Sequence, residues 1–132
     1  MRGRLRKVAV LDSSVVLAVT LNEPGSDAVV RLLEGGLLSA VNLAEVHTRL
    51  LQRGVAADHA WSLILALQCE ICFFTDEQAR IAAELIGVSQ PLGLSSGDRA
   101  CLALAIERKA TVYTADRAWK NLDLGIEIVV IR

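Results

Sequence analysis

Five strand-length apolar runs, separated by helix-length segments, constrain this chain more than any other feature. The runs are "VAVL" (8–11), "LLSAV" (37–41), "EICFF" (70–74), "TVYT" (111–114) and "IEIVVI" (126–131). The intervening segments carry helix signals. "PGSDAVVRLLEGG" (24–36) opens near Pro24 and stops at glycines, and "NLAEVHTRLLQRG" (42–54) spaces its apolar residues helically and ends at Gly54. Further helices are expected at 56–68, 76–88 and 96–109, and Asp12 stands where a helix beginning at Ser13 takes its N-cap. Strands alternating with helices predict an α/β domain with a mainly parallel central sheet. "ACLALAI" (100–106) is apolar around its whole circumference, so its helix should be the most buried. No repeat, linker or low-complexity tract interrupts the pattern, and 132 residues suffice for one core.

The apolar fraction of 53% raises the question of a membrane, but the longest unbroken apolar run is far short of a span. "MRGRLRKVAVLDSSVVLAV" superficially resembles a secretion signal, yet Asp12 and two serines break the stretch that a signal keeps continuous. Residues 1–7 are expected to be a basic tail, with Arg2, Arg4, Arg6 and Lys7 either solvated or touching phosphate. Cys69, Cys72 and Cys101 are an odd, sparse set that suits a reducing compartment and a cytoplasmic protein. "CEIC" has a metal-ligand spacing, but residues three apart on a strand face opposite ways and no second pair completes a zinc site. Packing thiols are expected.

Acids recur at one place in this topology. In open parallel sheets, sites form outside the carboxyl ends of the strands. Asp12 follows the first run directly and Asp116 follows the fourth. Glu45 is expected in the first turn of the helix after "LLSAV". Asp98 opens a helix that must deliver the chain to the amino end of the fourth strand, so it too begins near the carboxyl edge. Each position alone has an ordinary explanation as a helix cap, with Asn42-x-x-Glu45 and Ser95-x-x-Asp98 as capping-box variants. Asp76, in "FFTDEQA", is the comparison: it also opens a helix after a strand and is expected to be a plain N-cap.

Carboxylates crowded on one rim repel unless cations intervene. Mg²⁺ or Mn²⁺ accepts an all-oxygen set together with water and phosphate oxygens. His47 and His59 stand alone, so zinc is disfavoured, and His47 is expected half-exposed on its helix. Net charge is −1, and setting the four acids aside leaves the remaining chain at +3. Arg99, Arg117 and Lys120 lie near the acids in sequence and are candidates for phosphate contact, or equally for solvated ion pairs.

Four motifs in order, "VLDSSVVLA", "SAVNLAEV", "LGLSSGDRACLALA" and "VYTADRAW", resemble those of PIN-domain ribonucleases, most closely the VapC toxins of bacterial type II toxin–antitoxin pairs. The resemblance runs from about Val8 to the C-terminus. It implies a single PIN-like domain over 1–132, with three α/β/α layers and a five-stranded sheet of order 3-2-1-4-5. It also implies a metal-dependent endoribonuclease using Mg²⁺ or Mn²⁺, with Asp12, Glu45, Asp98 and Asp116 as the metal-binding acids. Ser13 and Thr114 match the small hydroxyl residues lining such sites, and Asn42 is a supporting residue beside Glu45. The implied partners are RNA, an antitoxin protein that brings a basic group to the acidic pocket, and a second copy in a homodimer. Segments 24–34 and 42–68 are candidate faces for the last two.

Two other functions remain open on the residues. Asp12 could be an aspartyl nucleophile of a phosphatase or receiver-like domain, but "Asp12-Ser13-Ser14" lacks the second acid both resemble. Alternatively the rim could be stiffened by metal to bind RNA or protein without cutting. Few aromatics are available to stack bases, and Phe73, Phe74, Tyr113, Trp61 and Trp119 are mostly expected to be buried.

Overall fold

The apolar runs form a sheet whose two faces bury alternate residues of each strand. The computed structural model describes residues 8–132, so the expected basic tail at 1–7 lies outside the described residues. Strands β1 (Ala9–Leu11), β2 (Leu37–Ser39), β3 (Glu70–Cys72), β4 (Thr111–Thr114) and β5 (Ile128–Val130) pair in the order β3-β2-β1-β4-β5. Every neighbouring pair is parallel. Val10, Leu37, Cys72, Val112 and Ile128 pack on one face, and Leu11, Leu38 and Tyr113 on the other, as period-two alternation requires. Cys69 packs on the face opposite Cys72, and all three cysteines are free thiols.

Helices cover both faces, which gives three layers. On one side lie α1 (Ser13–Thr20), α2 (Val30–Leu33), α3 (Ala40–Gln52) and α4 (Ala57–Ala66). On the other lie α5 (Asp76–Glu84), the short α6 (Ile86–Ser89) and α7 (Ser96–Arg108), with Trp119 sealed beneath a 3₁₀ turn at Arg117–Asn121. Residues Ala100–Ala105 of α7 are all buried, as its all-round apolarity predicts. Among the described residues no helix is long and apolar enough to cross a membrane.

Three expectations need correction. The helix expected over 24–36 is only a 3₁₀ turn (Ser26–Ala28) and the single turn α2: Gly25 takes a left-handed φ of 88° ahead of them, Val29 at φ −117° separates them, and Glu34 turns to an extended ψ of 116°. The second strand ends at Ser39, and Ala40 and Val41, expected in the strand, begin α3. Phe73 is 85% exposed, and Phe74 and Trp61 also reach solvent, because the phenylalanines lie just past the end of an edge strand. Gly36 is required where it stands. A Cβ there would meet the Leu32 carbonyl oxygen at 2.5 Å and the Leu11 side chain at 2.8 Å, so only glycine lets the chain enter β2 beside β1.

Candidate active site

The parallel register puts the carboxyl ends of β1 and β4 side by side, and the chain leaves them carrying Asp12 and Asp116. The Asp12 amide donates to the Tyr113 carbonyl at 3.0 Å, which continues the ladder to the rim. Glu45 on α3 and Asp98 on α7 complete the same rim. Together the four acids line one cleft of about 340 Å³ with Ser13, Ser14 and Ser95.

Asp12 is the innermost of the four, only 3% exposed. It occupies the N-cap position of α1 but makes no side-chain cap bond. Its Oδ2 instead accepts from Ser14 Oγ at 2.6 Å and from Thr114 Oγ1 at 2.9 Å. Both hydroxyl oxygens are themselves acceptors, Ser14 from the Ala115 amide at 2.9 Å and Thr114 from the Asp116 amide at 3.0 Å. Each hydroxyl is thereby turned to aim its proton at Asp12. Asp12 Oδ1 is buried without a hydrogen-bond partner among the described residues. Burial pushes the Asp12 carboxyl up to about 6; the negative charges of Asp98 and Glu45 push the same way, and the Ser14 and Thr114 bonds oppose them.

Asp98 caps its helix while lining the cleft. Its Oδ2 accepts from the Ser95 amide at 2.8 Å while Ser95 Oγ accepts from the Asp98 amide at 3.2 Å, a complete capping box. Partial burial raises the Asp98 carboxyl above its ordinary value; the Ser95 bonds lower it, and Glu45 and Asp116 raise it further. Asp116 is exposed, and its Oδ1 caps the 3₁₀ turn through the Ala118 amide at 2.9 Å.

Glu45 lies in the second turn of α3, not the first, because the N-cap is Ser39, whose hydroxyl accepts from the Val41 amide at 3.2 Å. Asn42 is therefore inside the helix and caps nothing. It is fully buried, and its Nδ2 donates to Glu45 Oε1 at 2.8 Å and to the Gly97 carbonyl at 3.0 Å, tying α3 to α7. Gly97 leaves the space that Glu45 fills, since a Cβ there would collide with both carboxylate oxygens. Asp76 is exposed and is the first residue of α5 rather than its cap; Thr75 is the cap, accepting from the Gln78 amide at 3.2 Å.

The donor chemistry suits a hard divalent cation. Acidic oxygens, one of them buried and unpartnered, surround the cleft, and among the described residues no histidine or cysteine lines it. His47 is half-buried on the far side of α3's acid face, its ring 5.5 Å from that of Trp61. Among the described residues no three acids, histidines or cysteines are already drawn into a closed ligand cluster.

The cations are distributed differently from the sequence expectation. Arg99 is half-buried, Arg117 donates from Nε to the Arg132 carbonyl at 3.3 Å, and Lys120 is exposed; none of the three lines the cleft. Arg49 does. Its signal is in the sequence, because Glu45 and Arg49 are four apart on one helix and share a face. Ser14, Ser95 and Gly97 also belong to the site. Ser13 lines the cleft, yet Ser14 two residues after Asp12 makes the bonds.

The sequence model of a family described as PIN domain matches residues 9–124. No curated relative matches the chain by sequence. Among solved structures, VapBC from Salmonella typhimurium, in a DNA-bound crystal, contains a chain similar at a TM-score of 0.73 and 16% identity, covering 93% of this chain and 97% of its own. VapBC2 from Rickettsia felis, bound to a promoter DNA fragment, gives 0.70 and 17%, covering 92% and 96%. FitAcB from Neisseria gonorrhoeae gives 0.63 and 21%, covering 92% and 96%.

Proposed function

This chain belongs to the PIN-domain family, and from that premise we propose that it is a metal-dependent endoribonuclease, the toxin of a type II toxin–antitoxin pair. One observation carries the proposal: four acids from four separated segments line one cleft, with an unpartnered, buried oxygen of Asp12 among them. Helix capping accounts for the placement of Asp98 and Asp116, but it leaves Asp12 unexplained, since that side chain caps nothing.

In this reading Asp12, Glu45 and Asp98 hold Mg²⁺ or Mn²⁺, with Asp116 directly or through water. When bound, the ion supplies a water of lowered pKa as nucleophile and positive charge against the phosphoryl oxygens. Ser14 and Thr114 fix the direction of Asp12, and Asn42 fixes that of Glu45. Thr114 is wholly buried, which shields its bond to Asp12 from water.

Incubation of the purified chain, freed of co-purifying protein, with structured RNA in Mg²⁺, Mn²⁺ or EDTA tests the proposal. Cutting is expected in the metals alone, leaving 5′-phosphate and 3′-hydroxyl ends. Well-folded protein that cuts no RNA in either metal would transfer the assignment to a non-catalytic binding domain. Gly97→Ala probes Glu45 separately. The new methyl displaces the Glu45 carboxylate rather than backbone, so the gain of up to about 1 kcal/mol from alanine over glycine in a helix is offset by the lost Asn42–Glu45 bond, and melting should change little. Cleavage should fall about tenfold or more, as when a ligand's orienting contact is lost. Unchanged cleavage would remove Glu45 from the ligand set.

The toxin assignment also calls for a protein partner. On segments 24–34 and 42–68, Val29, Leu33 and Ile64 pack on the sheet while Val30, Leu51, Trp61 and Leu65 remain exposed. Those exposed side chains support an antitoxin or second-copy interface there.

A further inference from the structure

The acidic cleft adjoins a smaller cavity of about 160 Å³, and the two share Ser14, Leu17 and Arg49 as a common wall. The smaller cavity is basic. Among the described residues Arg49, Arg53 and Arg132 line it, with Glu23 as the one acid. Arg132 is committed: it donates to Glu23 Oε1 at 3.3 Å and to the Pro24 carbonyl at 3.1 Å. Arg49 and Arg53 are exposed, and among the described residues neither makes an ion pair or a side-chain hydrogen bond.

Arg49 is in the last turn of α3 and Arg53 is its C-cap residue. The negative end of the helix dipole favours a cation there. It does not favour two on one face, because like charges four apart repel by a few tenths of a kcal/mol. Glu45, Arg49 and Arg53 succeed one another at this spacing, so one stripe of α3 runs from the acids into the basic cavity. A polyanion approaching four carboxylates is repelled unless cations beside them hold it. Paired guanidinium groups suit phosphate oxygens by shape as well as charge.

We propose that Arg49 and Arg53 form a phosphate-binding subsite that holds the RNA backbone next to the linkage being cut. The inference rests on the nuclease reading of the acidic cleft. The subsite binds backbone without reading bases, so it contributes to substrate affinity and leaves the chemical step to the acids.

The test is the steady-state kinetics of the double variant Arg49→Gln/Arg53→Gln in Mg²⁺, with RNA affinity measured against salt on an Asp98→Asn background that leaves RNA uncut. Arg80→Gln, an exposed arginine on α5 outside both cavities, is the control. Each single-strand phosphate contact contributes about 0.7 to the salt slope, so losing two should lower the slope by about 1.4 and weaken binding roughly twentyfold at about 0.1 M salt. KM should rise correspondingly with kcat held within about twofold, and Arg80→Gln should match the unsubstituted chain. If the unsubstituted chain cuts RNA while the double variant keeps its KM and salt slope, the subsite is wrong and the nuclease stands. Loss of kcat at constant KM also overturns the subsite, since the arginines would then act on the acids. Weakened binding of poly-glutamate with unchanged RNA affinity would mark a protein-docking pocket instead. If the unsubstituted chain neither cuts nor binds RNA, both readings fall.

Discussion

Asp12→Asn is expected to lower metal-dependent RNA cleavage by at least about a hundredfold while leaving the protein folded. Loss of a contact that merely orients a metal ligand costs roughly ten- to a hundredfold in affinity or activity, and a ligand itself should cost more. The fold should tolerate the change because asparagine is nearly isosteric, and its amide oxygen can still accept from Ser14 and Thr114 as Asp12 Oδ2 does. Thr114→Val leaves the carboxylate but removes one of its two hydroxyl partners, so its loss should fall within the smaller range. Cleavage rates of the two variants at saturating Mn²⁺ give the comparison. Asp12→Asn protein that cuts at the unsubstituted rate would rule out a metal held by Asp12, and the carboxylate would then be a buried structural group.

The positions of these acids were legible before any coordinates because they depend only on connectivity. Whatever follows a parallel strand lies at its carboxyl edge, and a helix feeding a parallel strand starts there, so Asp12, Asp98, Asp116 and Glu45 had to share a rim. What the alternation could not show was rotation by a single residue. Ser13 and Ser14 are adjacent and chemically identical, but α1 turns only the second so that its hydroxyl meets both Asp12 and the Ala115 amide. The β2–α3 boundary was hidden for a related reason. Ala40 and Val41 are as apolar as the strand they follow, so the run "LLSAV" concealed Ser39 as the cap and displaced Asn42 into the wrong role.

Sequence proximity also misled the placement of cations. Arg99 and Arg117 each follow an acid directly, but on α7 the residue after Asp98 points about 100° away, and Arg117 turns to the Arg132 carbonyl. Arg49, four residues beyond Glu45, shares its face and reaches the cleft. The phenylalanines misled through composition: Phe73 and Phe74 look like core, yet β3 ends at Cys72 on the sheet's edge and leaves them uncovered.

The desolvation of Asp12 should make the metal-free protein lose stability as pH rises. Asp12 holds its proton to about 6 when folded, against an ordinary value of 3.8. Between those pH values the folded state binds the extra proton, so its contribution is full below about pH 4 and is lost as pH climbs through about 6. The difference corresponds to about 3 kcal/mol, and the raised carboxyl of Asp98 acts in the same direction. Denaturant unfolding in EDTA from pH 4 to pH 8 measures the trend, and Asp12→Asn isolates it: the variant should gain on the parent across that range and exceed its stability at pH 7. Mn²⁺ or Mg²⁺ should reverse the ordering, because a cation bound by ionised carboxylates stabilises only the folded state. That gain should be large at pH 7 and small near pH 4, where Asp12 is protonated. A parent and variant with parallel pH profiles in EDTA would mean that Asp12 is solvated in the folded chain, and a metal effect equal at both pH values would place the cation elsewhere.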